Sequence, residues 1–319
     1  MKPIFWSPTR FEVTELCPVK YYFQYIKKMR VTTPRLALGS YLHKRKEKLF
    51  KGKPGQLELR FKSAESFANA ATGFWKHSVA KTNEIDGQKV LWEFENQKWV
   101  FLSEIEELCI KTYNKCSSEE SPLFIELPIK FKLNGQHFYV KIDEIRKGCT
   151  IRDYKTGFSL PEEFRLKHFS QFTFYALAFC CYAYIDEDFA KICGISEEDK
   201  KSFGGNPLYI SEKINLEYYN VKEEITLPAT HRSNKDYYEL VHAIEILENR
   251  IHNLESNLYP YYSNHCKYCQ YKKPCDEKYK KGEFYGENYD QQLELIEIIP
   301  RQKYHDTTLK LFPPKRKKF

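Results

Sequence analysis

Residues 122–157 constrain the fold more than any other part of the chain. LFIELPIKFKL alternates apolar and polar residues, the two-residue period of a strand with one face on a core. Asn134-Gly135 follows, a strong hairpin signal because both residues tolerate the left-handed backbone of a tight turn. HFYVKIDEIRKG reads as the returning strand, Lys147-Gly148 turns again, and CTIRDYKTG is a third strand. EEFRLKHFSQFTFYALAFCCYAYI then reads as a long amphipathic helix, and PLYISEK and the region around EEITLPA as further strands. A three-stranded meander, a crossover helix and more strand make an α/β core.

Helices surround this core. Ser7-Pro8 is an N-cap with proline at the first helical position, followed by TRFEVTEL. Cys17-Pro18 breaks that helix, and VKYYFQYIKKM restarts it. Residues 31–35 read as a loop and LALGSYLHKRKEKLFKG as a helix ending near Gly52. From about 60 to 116 the pattern is helical, with a turn near Asp86-Gly87, as in an all-helical insertion. SNKDYYELVHAIEILENRIHNLE is a helix with an N-cap serine, and the chain ends in the basic tail PPKRKKF. No internal repeat is present.

Two carboxylates and a lysine stand out on the meander. Alternation puts Asp153 and Lys155 on one face of their strand, and Asp143 on the neighbouring strand can meet Asp153 there. Such a trio suits metal-dependent phosphodiester hydrolysis. Carboxylates bind hard Mg²⁺ or Mn²⁺, the metal polarises the phosphoryl oxygen and acidifies a water, and lysine offsets developing charge. D-x-K alone is common on solvated edge strands. Here a Lys-Thr-Gly turn follows at once, so Asp153 lies at a strand end that can face a cleft.

A second signal is HCKYCQYKKPC, residues 265–275. Cys266, Cys269 and Cys275 have the metal-ligand spacing C-x2-C-x5-C, one ligand short of the usual four. Scattered cysteines such as Cys109, Cys180 and Cys193 read as small core residues. No apolar run is long enough to span a bilayer, and MKPIFWSPTR lacks the apolar stretch of a secretory signal. The expectation is an intracellular protein (cytoplasmic, or nuclear if eukaryotic) with no membrane partner. Its net charge of +8, from 51 Lys+Arg against 43 Asp+Glu, permits a polyanionic partner.

Together these stretches resemble a known family. VKIDEIRKGCTIRDYKTG is similar to motifs II and III of the PD-(D/E)XK nucleases, in the RecB-like, AddB-like iron–sulfur exonuclease branch that includes RecB-like CRISPR-adaptation nucleases. LALGSYLH resembles its G-x-x-x-H helix, with Gly39 and His43, and QFTFY its Q-x-x-x-Y motif, with Gln171 and Tyr175. SPTRFEVTELCPVKYYFQYI resembles its N-terminal signature. The resemblance covers residues 7–275, with 60–116 poorly matched. It implies a restriction-endonuclease-like core, a central mixed sheet flanked by helices, with a helical insertion at about 60–116. The domain would span residues 1–275, with 276–319 as an extension bearing the basic tail.

The resemblance implies site residues too. The metal ligands fall on His43, Asp143, Asp153 and the carbonyl of Tyr154, and Lys155 takes the catalytic lysine role. Gln171 and Tyr175 brace the site and face DNA, and Glu126 matches an acidic position seen in some members. Glu144 departs from the motif's usual basic residue, but alternation turns it away from Asp143. Cys17 becomes the fourth cysteine, so that Cys17, Cys266, Cys269 and Cys275 hold a [4Fe–4S] cluster clasping the N- and C-terminal regions. Zn²⁺ on four thiolates, or on His265 and three cysteines, is the alternative. The implied activity is a Mg²⁺- or Mn²⁺-dependent single-strand DNA exonuclease in repair, recombination or CRISPR/phage DNA processing. Two alternatives are a non-catalytic DNA-binding or assembly subunit and an endonuclease of an integration complex. No G-x4-G-K-(S/T) motif is present, so a helicase partner, like an integrase partner, would be a separate chain.

Overall fold

The computed structural model describes residues 3–92, 97–157, 169–202, 206–229, 231–254, 258, 266 and 269–280. The chain forms two compact units. One comprises Arg30–Phe131 and Phe138–Tyr238, the other Met1–Met29, Lys132–His137 and Glu239–Phe319. The main helices are α1 (Pro8–Leu16), α2 (Pro34–Leu49), α3 (Ala64–His77), α4 (Gln97–Ser118), α5 (Ser170–Ile185), α6 (Asn234–His252) and α7 (Lys272–Lys280). No helix among the described residues is long and apolar enough to cross a membrane.

A mixed sheet organises the larger unit. Five of its six strands are β1 (Phe124–Leu133), β2 (Gln136–Arg146), β3 (Thr150–Lys155), β4 (Asn215–Asn220) and β5 (Ile225–Ala229), paired in that order. Asn134 and Gly135 join β1 to β2 with φ of 49° and 83°, the left-handed pair a tight hairpin demands. β3 pairs antiparallel with β2 and parallel with β4, which places Tyr218 beside Asp153. A parallel neighbour requires a crossover connection, and α5 lies on it. Thirteen apolar or aromatic side chains among its sixteen residues leave α5 without a solvent face, so Phe172, Phe174, Leu177 and Phe179 are all fully buried.

The opposite face of the sheet carries a helical layer. Thr33 caps α2 by accepting the Leu36 amide, and Pro34 sits at the first helical position. Ser63 and Ser66 form a reciprocal cap on α3. Tyr41 of α2 packs edge-on against Trp75 of α3 (4.9 Å), which meets Phe101 of α4 (6.2 Å). Tyr154 and Tyr219, from β3 and β4, enter the same core.

The smaller unit ties together distant stretches of chain. Ser7 caps α1 through the Arg10 amide (3.2 Å), and α1 ends at Cys17. Trp6 Nε1 donates to Glu248 Oε1 of α6 (2.7 Å). Tyr271, just before α7, stacks on Phe23 (5.7 Å), and its hydroxyl donates to the Met29 carbonyl (3.1 Å).

Several elements differ from expectation. PLYISEK is a 3₁₀ helix, because Asn206 caps it and Pro207 fixes its first turn. The stretch from 60 to 116 is not all helix, since Glu84–Ile85 and Gln88–Val90 pair across the Asp86-Gly87 turn. Val31–Thr32 is a short strand beside the second of these, not loop. The crossover helix is buried on every side from Phe172 to Cys181 rather than amphipathic, and the part of that reading on residues 162–168 lies outside the described residues. So do His265 and the tail from residue 281 onward.

Candidate active site

The ladder between β2 and β3 pairs Glu144 with Arg152 and stops there. Beyond it, Asp143 and Asp153 face each other across the strands. The Tyr154 amide donates to Asp143 Oδ2 (3.0 Å) instead of to a backbone carbonyl of β2. A side chain has taken the place of a ladder bond, and the carboxylates occupy the opening.

α5 supplies the roof. Gln171 and Tyr175 lie one turn apart and project the same way. The Gln171 amide donates to Asp153 Oδ1 (2.8 Å) and to the Tyr175 hydroxyl (2.6 Å). That hydroxyl donates in turn to Asp143 Oδ1 (2.9 Å). Lys155 Nζ donates to Asp153 Oδ1 (3.1 Å) and Gln171 Oε1 (2.8 Å). Asp153 Oδ2 is buried and makes no hydrogen bond, although the Lys155 ammonium lies 3.1 Å away.

α2 closes the side. His43 Nδ1 is 2.8 Å from Glu126 Oε1 and 3.7 Å from Asp143 Oδ2. Lys141 pairs with the other Glu126 oxygen at 2.6 Å. Ligand atoms of His43, Glu126 and Asp143 lie within 4.8 Å of one another, so this donor set can hold a metal ion. Carboxylate oxygens with one imidazole suit a hard divalent cation.

Electrostatics separates the two aspartates. Burial pushes the Asp153 carboxyl up to about 7, opposed by Lys155 and reinforced by the Asp143 charge. Burial raises Asp143 too, but the charges of His43 and Lys155 and the Tyr154 amide outweigh it and hold its pKa below the usual value. For His43, burial opposes the charged ring, while Asp143 and Glu126 prevail and raise its pKa. Glu126→Gln removes one of those carboxylates and is expected to lower the His43 pKa, read from the imidazole proton shifts in a metal-free NMR titration.

Of the residues singled out in the sequence, His43, Asp143, Asp153, Lys155, Gln171 and Tyr175 come together here. Tyr154 contributes its backbone, while its ring enters the helical core on the opposite face. Glu144 also points to that face, in ion pairs with Lys46 and Arg146. Sequence reasoning gave Glu126 too little weight. Its signal was a break in alternation: buried positions run Phe124, Glu126, then Ile129, Phe131 and Leu133. Glu126 has φ of 51° where that phase changes.

The cysteines of the smaller unit lie apart from this site in sequence. Cys17 is buried between α1 and the next helical turn, and Cys266, Cys269 and Cys275 are partly buried before and within α7. Burial, with smaller contributions from Cys17 and their neighbours, raises the pKa of the Cys269 thiol and pushes that of Cys275 up to about 12.

No curated protein matches the sequence significantly. Among matching solved structures is a crystal structure described as a "Putative exonuclease" from Eubacterium rectale. It is 12% identical, covers 79% of this chain and 91% of its own, and superposes with a TM-score of 0.30, too distant to bear on activity. The family model of the PD-(D/E)XK nuclease superfamily matches residues 5–276, a span containing every side chain of the cluster just described, and the chain therefore belongs to that superfamily.

Proposed function

We propose that this chain is a Mg²⁺- or Mn²⁺-dependent deoxyribonuclease of the RecB-like branch that degrades single-stranded DNA from an end. One observation carries the reading. Asp143, Asp153 and Lys155 converge where β2 and β3 part, and Asp153 keeps one buried oxygen outside any hydrogen bond. His43, Glu126, Asp143 and Asp153, with the Tyr154 carbonyl, would hold the metal. The bound ion supplies Lewis acidity toward the phosphoryl oxygen and the attacking water. Lys155, steered by Asp153 and Gln171, presents an ammonium that holds this water or donates to a phosphoryl oxygen. Tyr175 and Gln171 fix the rotation of the two carboxylates, so little reorganisation is left for the reacting complex.

The same reading assigns Cys17, Cys266, Cys269 and Cys275 to a [4Fe–4S] cluster. Cys17 acts electrostatically on Cys269 and Cys275, which supports their lying near one another. The net charge of +8 suits a phosphate backbone. The pathway would be repair, recombination or CRISPR/phage DNA processing, with a helicase or integrase as a separate partner chain.

The test is a time course on end-labelled linear and on circular single-stranded DNA, with Mg²⁺ or Mn²⁺, for wild type and Asp153→Ala. Loss of linear substrate by wild type alone is expected, with the circle left whole. Cutting of the circle would replace the exonuclease by an endonuclease. Binding without cutting, by cluster-loaded wild type, would leave a non-catalytic assembly subunit.

A further inference from the structure

The run HKRKEK at residues 43–48 looks like a solvated basic face, yet one of its lysines is buried. Lys46 is 3% exposed, three residues after His43 on α2. Its ammonium lies 2.6 Å from Glu144 Oε2 and 3.0 Å from the centroid of the Tyr154 ring. Glu144 follows Asp143 on β2, and Tyr154 follows Asp153 on β3. Because side chains alternate along a strand, both point to the opposite face of the sheet from the aspartates. A single ammonium thus touches the strand neighbour of each carboxylate, while its own helix carries the imidazole.

Charge balance alone does not dictate that this cation should come from α2. Glu144 is fully buried, but Arg146 (2.6 Å) and Arg152 (3.8 Å) already face it. Arg152 is itself held by Glu119 and Glu217. Both arginines sit on the sheet: Arg152 ties β3 to β2 and β4, and Arg146 joins Glu144 of its own strand to Glu119 beyond α4. Lys46 alone in this network comes from α2. Of its other buried positions, Ala37, Leu38, Leu42 and Leu49 make apolar contacts, which are non-directional, and the Tyr41 hydroxyl donates to the Ala71 carbonyl of α3 rather than to the sheet. A buried ion pair, by contrast, holds its two elements together, because parting them leaves an uncompensated charge inside the protein.

We propose that Lys46 is a positioning residue for the divalent-metal site: by fastening α2 to Glu144 and Tyr154, it sets the distance between His43 and the two aspartates. This rests on the metal-dependent nuclease reading. Partners one step behind the ligands of a metal site typically matter 10- to 100-fold in affinity.

The experiment measures Mn²⁺ binding to the full chain by titration calorimetry, alongside the melting temperature and the Mn²⁺ dependence of DNA cutting. Lys46→Met is expected to weaken Mn²⁺ binding about tenfold. The half-saturating Mn²⁺ for cutting should rise in step, with the rate at saturating Mn²⁺ within about threefold of wild type. Lys46→Gln keeps a polar contact without the charge and carries the same expectation, should Lys46→Met fail to fold. Arg146→Met, which weakens the same ion network without touching α2, should lower the melting temperature and leave Mn²⁺ affinity unchanged. Unchanged affinity in the Lys46 variants, or an equal loss in Arg146→Met, would overturn the proposal. If wild type bound no Mn²⁺, or Asp153→Ala cut as well as wild type, the nuclease site itself would be wrong and Lys46 would fall with it.

Discussion

Asp153→Asn is expected to reduce metal-dependent cutting by at least ~10³-fold and, in the same protein, to raise the melting temperature of the metal-free chain at pH 8. The activity loss follows from removing an anionic ligand at the reacting phosphate. Three tenfold steps correspond to about 4 kcal/mol of transition-state stabilisation, within what a bound metal supplies. The stability gain follows from linkage. The carboxyl is fully buried, and its folded pKa of about 7 stands above the ordinary 3.8. An acid whose pKa is raised on folding contributes stability that is complete below its unfolded pKa and is lost as pH rises through the folded one. At pH 8 the native chain therefore carries a buried charge at a cost, and asparagine removes it while still accepting from Lys155 and Gln171. A gain of about 1–2 kcal/mol, or several degrees, is the expected scale. It should vanish below pH 4. Calorimetry in chelator at pH 4 and pH 8 checks the sign, and a variant less stable than wild type at pH 8 would mean that Lys155 keeps Asp153 comfortably ionised.

Cys17→Ser should bleach the protein and destabilise it. With a [4Fe–4S] cluster in place, the purified wild type carries visible charge-transfer absorption, and losing one of four thiolates removes it. The proposed cluster would join residue 17 to residues 266–275, closing a loop of most of the chain. In the chain-entropy picture, a loop of about 250 residues is worth on the order of 5 kcal/mol as an upper bound. Part of the attachment survives without it, since Tyr271 still stacks on Phe23 and donates to Met29. A loss of about 2–4 kcal/mol is therefore expected, with the chain still folded. Iron and zinc analysis of both proteins decides the chemistry. A colourless wild type with one zinc per chain, retained in Cys17→Ser, would point to His265 with Cys266, Cys269 and Cys275.

The meander and its aspartates were legible because their signals are local. Two-residue alternation, Asn134-Gly135 and D-x-K are each readable within a dozen residues. β4, by contrast, was not recognised. NLEYYN is buried at four of its six positions, so alternation disappears where a strand is covered on both faces. Its parallel pairing with β3 depends on residues about 65 positions away. Glu126 was half-legible: its type fitted, but a left-handed residue inside a strand shifts the phase that a pattern reader relies on. Lys46 could not be read at all. Nothing in HKRKEK tells which cation turns inward, because the choice is made by Glu144 and Tyr154, far along the chain.

The burial of α5 bears on how this enzyme could change over evolutionary time. Gln171 and Tyr175 are carried by a helix whose side chains from Phe172 to Cys181 are buried in the core. Substitutions that would shift it cost stability before they alter specificity. New substrates are therefore more accessible through variation in exposed positions of the 60–116 region than through the helix above the aspartates. Across descendants of this chain, the roof should drift slowly while those positions diversify.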